Sequence, residues 1–222
     1  MGENITITSS DGFEFGAYRA LPDGDPKGSI LVIQEIFGVN PHIREVADGY
    51  ASQGYAAIAP AIFDRVEKGV ELGYDDDGMQ RGIEIAFSGL DMGNTLKDLG
   101  ATAAALKSYG NVGAVGYCFG GLLAYLSACQ LDDLTCSVGY YGGGIVGVLD
   151  QQPKIPLILH FGELDAHIPL SDVDQIKAAK PDVPVYTYQA DHGFNCNHRA
   201  SYDEAAASLA LERTLAFFAA HL

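Results

Sequence analysis

Apolar and polar positions follow two rhythms along this chain. Ile5-Thr6-Ile7-Thr8 alternates with period two, Ser9-Ser10-Asp11-Gly12 is a turn cluster, and alternation resumes from Phe13 to Tyr18, which predicts an opening β-hairpin. Ser29-Ile30-Leu31-Val32-Ile33-Gln34 is a nearly continuous apolar run, as expected of a strand buried on both faces of a parallel sheet. Further strands are predicted at residues 55–59, 112–116, 137–141, 155–161 and 183–189. Helical segments fall between them. Pro41 opens one that runs to Gln53 and is closed by Gly54. A short helix is expected at Gln80 to Phe87. A longer one, Asp91 to Tyr109, has apolar positions at Leu96, Leu99, Ala103 and Leu106. Leu122 to Cys129 and Ser171 to Ala179 also read as helical. In the closing helix, Ala205 to Ala220, Leu211, Leu215 and Phe218 recur at i, i+4, i+7 and are expected to share a face. Pro60 to Gly78 reads as a long, acidic, irregular stretch of the kind that often carries function.

Strands alternating with helices imply an α/β fold: a mostly parallel sheet with helices on both faces, preceded by the hairpin. Internal repeats, low-complexity tracts and a Ser/Pro-rich linker are absent from the 222 residues, so one domain, 1–222, is expected.

Composition narrows the class. With 48% hydrophobic and 19% charged residues the chain is ordinary globular material. Thirteen basic against twenty-nine acidic residues give a formal charge of −16, too little basic surface for nucleic-acid binding. No apolar run approaches the ~18–20 residues of a membrane span, and the first residues carry neither a basic nor an apolar signal region. Cys118, Cys129, Cys136 and Cys196 show no CxxC pairing, so free thiols and a cytoplasmic location are expected. The sequon Asn4-Ile5-Thr6 is then a chance match.

Gly116-Tyr117-Cys118-Phe119-Gly120-Gly121 sits where a strand ends and a helix begins. A turn this tight strains its central residue, needs small neighbours and exposes the central side chain at the carboxyl end of the sheet. A helix amino terminus beneath a thiol also favours thiolate. This is a nucleophile-elbow pattern with Cys118 as nucleophile; the alternative is a buried structural cysteine beside a glycine-rich turn. An elbow nucleophile requires an acid and then a His in chain order. Asp165 follows the strand ending at Phe161, with Glu163 as competitor. His192 follows the strand ending at Gln189, with His167 as competitor. Loops leaving the carboxyl ends of parallel strands converge on one side of the sheet, so Cys118, Asp165 and His192 can meet as nucleophile, orienting acid and base. Gln34-Glu35-Ile36-Phe37-Gly38 follows another strand, and in this fold the Ile36 and Phe119 amides supply the oxyanion hole. Glu35 is unexpected there, because an anion opposes thiolate formation.

The loop Gln34-Glu35-Ile36-Phe37-Gly38-Val39-Asn40, the Gly-Tyr-Cys-Phe-Gly-Gly elbow, Asp165 and His192 together resemble the dienelactone hydrolase (carboxymethylenebutenolidase) family over nearly the whole chain. The resemblance implies an α/β-hydrolase fold and a Cys-His-Asp triad opening an enol lactone through an acyl-enzyme. It also implies a resting thiol that associates with Glu35, which takes the thiol proton once substrate shifts it. Arg81, in the long region before the elbow, inherits the family's role of holding the substrate carboxylate. Dienelactone-degrading members carry a second Arg four residues after the catalytic His. Here that position is Cys196, with Arg199 a little further on. A single carboxylate clamp loosens selection for an anionic lactone, so a broader carboxylesterase or thioesterase on the same triad is the alternative. A binding protein that keeps the elbow without turnover is the third.

Three other patterns are weaker. Gly142 to Gly147 fits G-x-G-x-x-G, but Pro153 and Pro156 leave no room for the crossover helix a dinucleotide site needs. Asp191, His192, Cys196 and His198 only sketch a metal site. Asp75-Asp76-Asp77-Gly78 lacks calcium-loop spacing and reads as a solvated turn. No cofactor and no metal are expected, and the partner is a small ester or lactone.

Overall fold

A computed structural model describes residues 2–222. Its eight strands form one sheet in the order β1-β2-β4-β3-β5-β6-β7-β8. The hairpin is β1 (Glu3–Thr8) and β2 (Glu14–Ala20), antiparallel, and β2 also pairs antiparallel with β4 (Ala56–Pro60). All later pairings, through β3 (Ser29–Ile33), β5 (Val112–Tyr117), β6 (Cys136–Tyr140), β7 (Leu157–Gly162) and β8 (Val185–Tyr188), are parallel. The carboxyl ends of β3, β5, β7 and β8 therefore lie along one edge of the sheet, where the Glu35 loop, the elbow, Asp165 and His192 follow.

The apolar run of β3 behaves as its pattern requires. Ile30 and Val32 join a cluster with Ala47 and Tyr50 of α1 (Pro41–Ser52) and Phe218 of α6 (Glu204–His221). Leu31 and Ile33 join another with Leu99 and Ala103 of α3 (Met92–Leu106). Alternate side chains of one strand thus fill cores on opposite faces. α4 (Phe119–Gln130) and α5 (Leu170–Ala179) complete the helical layers, and among the described residues no helix is long and apolar enough to cross a membrane.

Two local expectations change. Asp75 does not sit in a solvated turn: it caps α2 (Asp76–Glu84) by accepting from the Gly78 N–H at 2.8 Å, and the helix continues into a π-turn at Ile85–Gly89. Acidic residues at a helix amino terminus are favoured by the unpaired N–H groups and the helix dipole. In α6 the buried face is Ala206, Ala207, Ala210, Thr214 and Phe218, whereas Leu211 is exposed. Small side chains let this helix lie close to its neighbours, so alanines, not the leucines, mark the inward stripe. Gly142–Gly147 leads only into a short 3-10 turn at Ile145–Val148, and no crossover helix follows.

Candidate active site

The elbow is tight in the way its glycines demand. Cys118 has φ 56° and ψ −116°, a conformation that costs a non-glycine residue roughly 1–3 kcal/mol and persists only where the surroundings enforce it. Its N–H donates to the Tyr140 carbonyl at 3.0 Å, which ties the elbow to β6. A Cβ on Gly116 would sit 1.8 Å from the Gly120 carbonyl oxygen, and one on Gly120 would sit 2.4 Å from that of Ile33. Only glycine permits the approach that raises Cys118 above the sheet.

The side chains converge. His192 Nε2 lies 3.2 Å from Cys118 Sγ, and His192 Nδ1 lies 2.7 Å from Asp165 Oδ2. Asp165 Oδ1 accepts from the His167 and Ile168 N–H groups at 2.8 and 3.1 Å. The competitors are placed elsewhere: Glu163 accepts from Thr187 and Gln189, while His167 packs its ring edge-on against His192. Among the described residues neither the Ile36 nor the Phe119 N–H donates to a backbone carbonyl in a loop or cap.

Burial works against charging His192, but its hydrogen bonds to Asp165 and then Cys118 outweigh it and raise its pKa to about 10. Burial likewise opposes ionising Asp165, and the His192 hydrogen bond overrides it and lowers the carboxyl below its usual value. The same pairing stabilises the fold over a defined window. Asp165's share is complete above about pH 4 and lost as pH falls through its depressed pKa. His192's share is complete below about pH 6.5 and lost as pH rises toward about 10. Urea denaturation should therefore show the stability deficit of Asp165→Asn at its largest between about pH 4 and 6.5, shrinking at higher pH. A deficit that grows above pH 7 contradicts this assignment of the charges.

Glu35 is fully buried. Tyr74 donates its hydroxyl to Oε2 at 2.9 Å, and Arg199 Nη1 lies 3.4 Å from Oε1. Here the structure departs from the resting arrangement expected of Glu35: the thiol's partner is His192, and the carboxylate is engaged by Tyr74 and Arg199. Arg81, the expected carboxylate clamp, has its guanidinium on Glu67 and Glu84 at 2.6 Å each, with 40% of its side chain exposed. Arg199 is 15% exposed and lies over the Tyr74 ring, 5.6 Å from its centroid. The partly buried cation of the site is thus Arg199, whose position in sequence carried no such signal, and Tyr74 comes from a stretch read only as a loop. Phe87, 65% exposed, packs edge-on against Phe119 and forms an apolar lip beside the elbow.

Fold and elbow define the class first, an α/β hydrolase. A model of the dienelactone hydrolase family matches residues 15–222. Carboxymethylenebutenolidase of Pseudomonas putida is 36% identical over 98% of this chain and 96% of its own length. Carboxymethylenebutenolidase 1 of Cupriavidus pinatubonensis is 31% identical over 99% of this chain and 97% of its own. The crystal structure called "Putative Dienelactone Hydrolase" from Klebsiella pneumoniae superposes with a TM-score of 0.84 at 29% identity, covering 98% of this chain and 99% of that one. The chain belongs to the dienelactone hydrolase family, and it is a hydrolase acting on ester or lactone bonds.

Proposed function

We propose that this enzyme opens an enol lactone bearing a carboxylate, through a thioester on Cys118. The carrying observation is the continuous contact from Cys118 Sγ through His192 to Asp165, at 3.2 and 2.7 Å. The thiolate adds to the lactone carbonyl carbon, and the Ile36 and Phe119 N–H groups receive the charge that develops on its oxygen. Collapse of the tetrahedral adduct breaks the ring C–O bond. The enol oxygen departs with the proton held on His192, leaving the ring neutral. Neutral His192 then takes a proton from water, hydroxide adds to the thioester, and expulsion of the thiolate restores the Cys118–His192 pair. Asp165 holds the imidazole in the tautomer both steps need.

Arg199 is the residue this reading assigns to the substrate carboxylate. A carboxylate reaching that guanidinium competes with Glu35 for it, and the freed Glu35 becomes a proton acceptor next to the elbow. Arg81, occupied by two surface glutamates, is the weaker candidate for the clamp. A broader esterase on the same triad remains the second reading, favoured by the apolar lip at Phe87, which has no charge with which to select an anionic substrate.

Rapid acid quench of the enzyme turning over an enol lactone, followed by intact-protein mass spectrometry, tests the intermediate. The expected product is an adduct of one substrate mass on the peptide containing Cys118, cleavable by hydroxylamine as thioesters are. Turnover with no adduct at any quench time, combined with hydroxide-like kinetics linear in pH, points to direct water attack instead.

A further inference from the structure

Next to the triad lies a set of donor atoms that the proposed reaction does not fully use. A carboxylate oxygen of Glu35, a ring nitrogen of His42 and Sγ of Cys196 all lie within 4.8 Å of one another, and all three residues are buried. They come from the loop after β3, the first turn of α1 and the segment between His192 and α6. His42 is 2% exposed. Its Nδ1 lies 3.2 Å from Asn197 Oδ1, an atom that can only accept, so Nδ1 carries the hydrogen and Nε2 keeps its lone pair. That Nε2 is buried without a hydrogen-bond partner. A buried, unprotonated imidazole nitrogen with no donor facing it costs stability unless something fills it.

We infer that Glu35, His42 and Cys196 form a binding site for a borderline-soft divalent cation of the zinc type. One oxygen, one nitrogen and one sulfur suit zinc or cobalt; magnesium and calcium need more oxygens. The Asn197 contact at Nδ1 is the orienting second partner that metal-bound imidazoles ordinarily keep. Three protein ligands leave a fourth position for water. Coordination expels the Cys196 thiol proton to solvent: the cation and the thiol become a metal thiolate and a hydronium ion. Tyr74 donates its hydroxyl to Glu35 Oε2 at 2.9 Å. Arg199, its Nη1 3.4 Å from Glu35 Oε1, opposes the cation by its charge, and its removal should tighten binding. Where Glu35 serves the Cys118 thiol as proposed above, a bound cation holds that carboxylate and stops turnover while Cys118 stays unliganded. This consequence rests on that reading; the site itself does not.

Cobalt(II) titration of the intact protein carrying Cys118→Ala separates the two. The expected result is a thiolate-to-cobalt charge-transfer band in the near ultraviolet, saturating at one equivalent per chain. It should vanish in Cys118→Ala/Cys196→Ser and weaken by about tenfold or more in affinity in Cys118→Ala/His42→Gln. Affinity should rise about tenfold per pH unit, as release of one proton requires. The neighbouring group of His42, Glu45 and His198 contains no sulfur and cannot give this band. A band in the wild type that disappears in Cys118→Ala places the metal on the catalytic pair and overturns the proposal, as does a band that survives loss of Cys196 or no band at all. Circular dichroism of each variant guards against misfolding. Zinc that binds Cys118→Ala but leaves wild-type lactone hydrolysis untouched upholds the site and removes the role given to Glu35.

Discussion

Cys118→Ala should lower kcat on an enol lactone by about 10⁵-fold and leave substrate affinity nearly unchanged, because triad members act as a unit and removal of the nucleophile removes the covalent path altogether. The fold should survive. Alanine retains the Cβ that Cys118 already places at φ 56°, so the substitution adds no backbone strain and relieves no clash. What remains should come from the Ile36 and Phe119 amides, whose donors persist, and from binding. Stopped-flow product formation for wild type, Cys118→Ala, His192→Ala and the double variant makes the comparison. The double variant should be no slower than the worse single one, since His192 without Cys118 has no thiol to pair with. Losses that multiply instead would mean that His192 and Cys118 serve separate steps. Activity near wild type in Cys118→Ala would remove the thioester route entirely.

The elbow and the contacts joining Cys118, His192 and Asp165 were legible in sequence because each part obeys a local rule. Cys118 sits between glycines at a strand-to-helix junction, and Asp165 and His192 each follow a strand end, where a parallel sheet brings loops together. The sheet was legible for the same reason: β3 is a bare apolar run and the β1–β2 hairpin alternates around Asp11-Gly12. What could not be read were features set by packing between distant segments. The inward stripe of α6 is alanine-rich, so hydrophobic periodicity pointed at Leu211, which is exposed. Tyr74 reaches Glu35 from the loop leading into α2, across a separation no periodicity encodes. Arg199 is placed by a chain of tight turns: Cys196 N–H to Gly193 O at 2.9 Å, Arg199 N–H to Cys196 O at 3.1 Å and Tyr202 N–H to Arg199 O at 3.2 Å. These turns fold the segment back on itself, so distance along the chain from His192 says little about distance in space. Gly193 completes the placement, with φ 75° and a missing Cβ that would otherwise lie 2.6 Å from Arg199 Nη1.

The choice between Arg199 and Arg81 as carboxylate clamp carries the second large effect. Arg199→Gln should reduce kcat/KM for a carboxylate-bearing lactone by about 10²–10³-fold, the loss expected when a partly buried, charge-assisted contact to a substrate anion is removed. A neutral lactone of the same ring should lose far less, because it has no charge to place against the guanidinium. Arg81→Gln should change both substrates by less than about threefold, since its guanidinium is half-exposed and already shared between Glu67 and Glu84. The partition between constants adds a further check. If the carboxylate only anchors at Arg199, KM rises and kcat holds. If it also draws Arg199 away from Glu35, 3.4 Å distant, then kcat falls as well, because the freed carboxylate no longer appears at the right moment. Glu35→Gln separates these cases: it should abolish the kcat component while the KM component stays with Arg199. Equal losses on charged and neutral substrates in Arg199→Gln would instead make Arg199 a structural partner of Glu35 and leave the substrate to be selected at the apolar lip of Phe87 and Phe119.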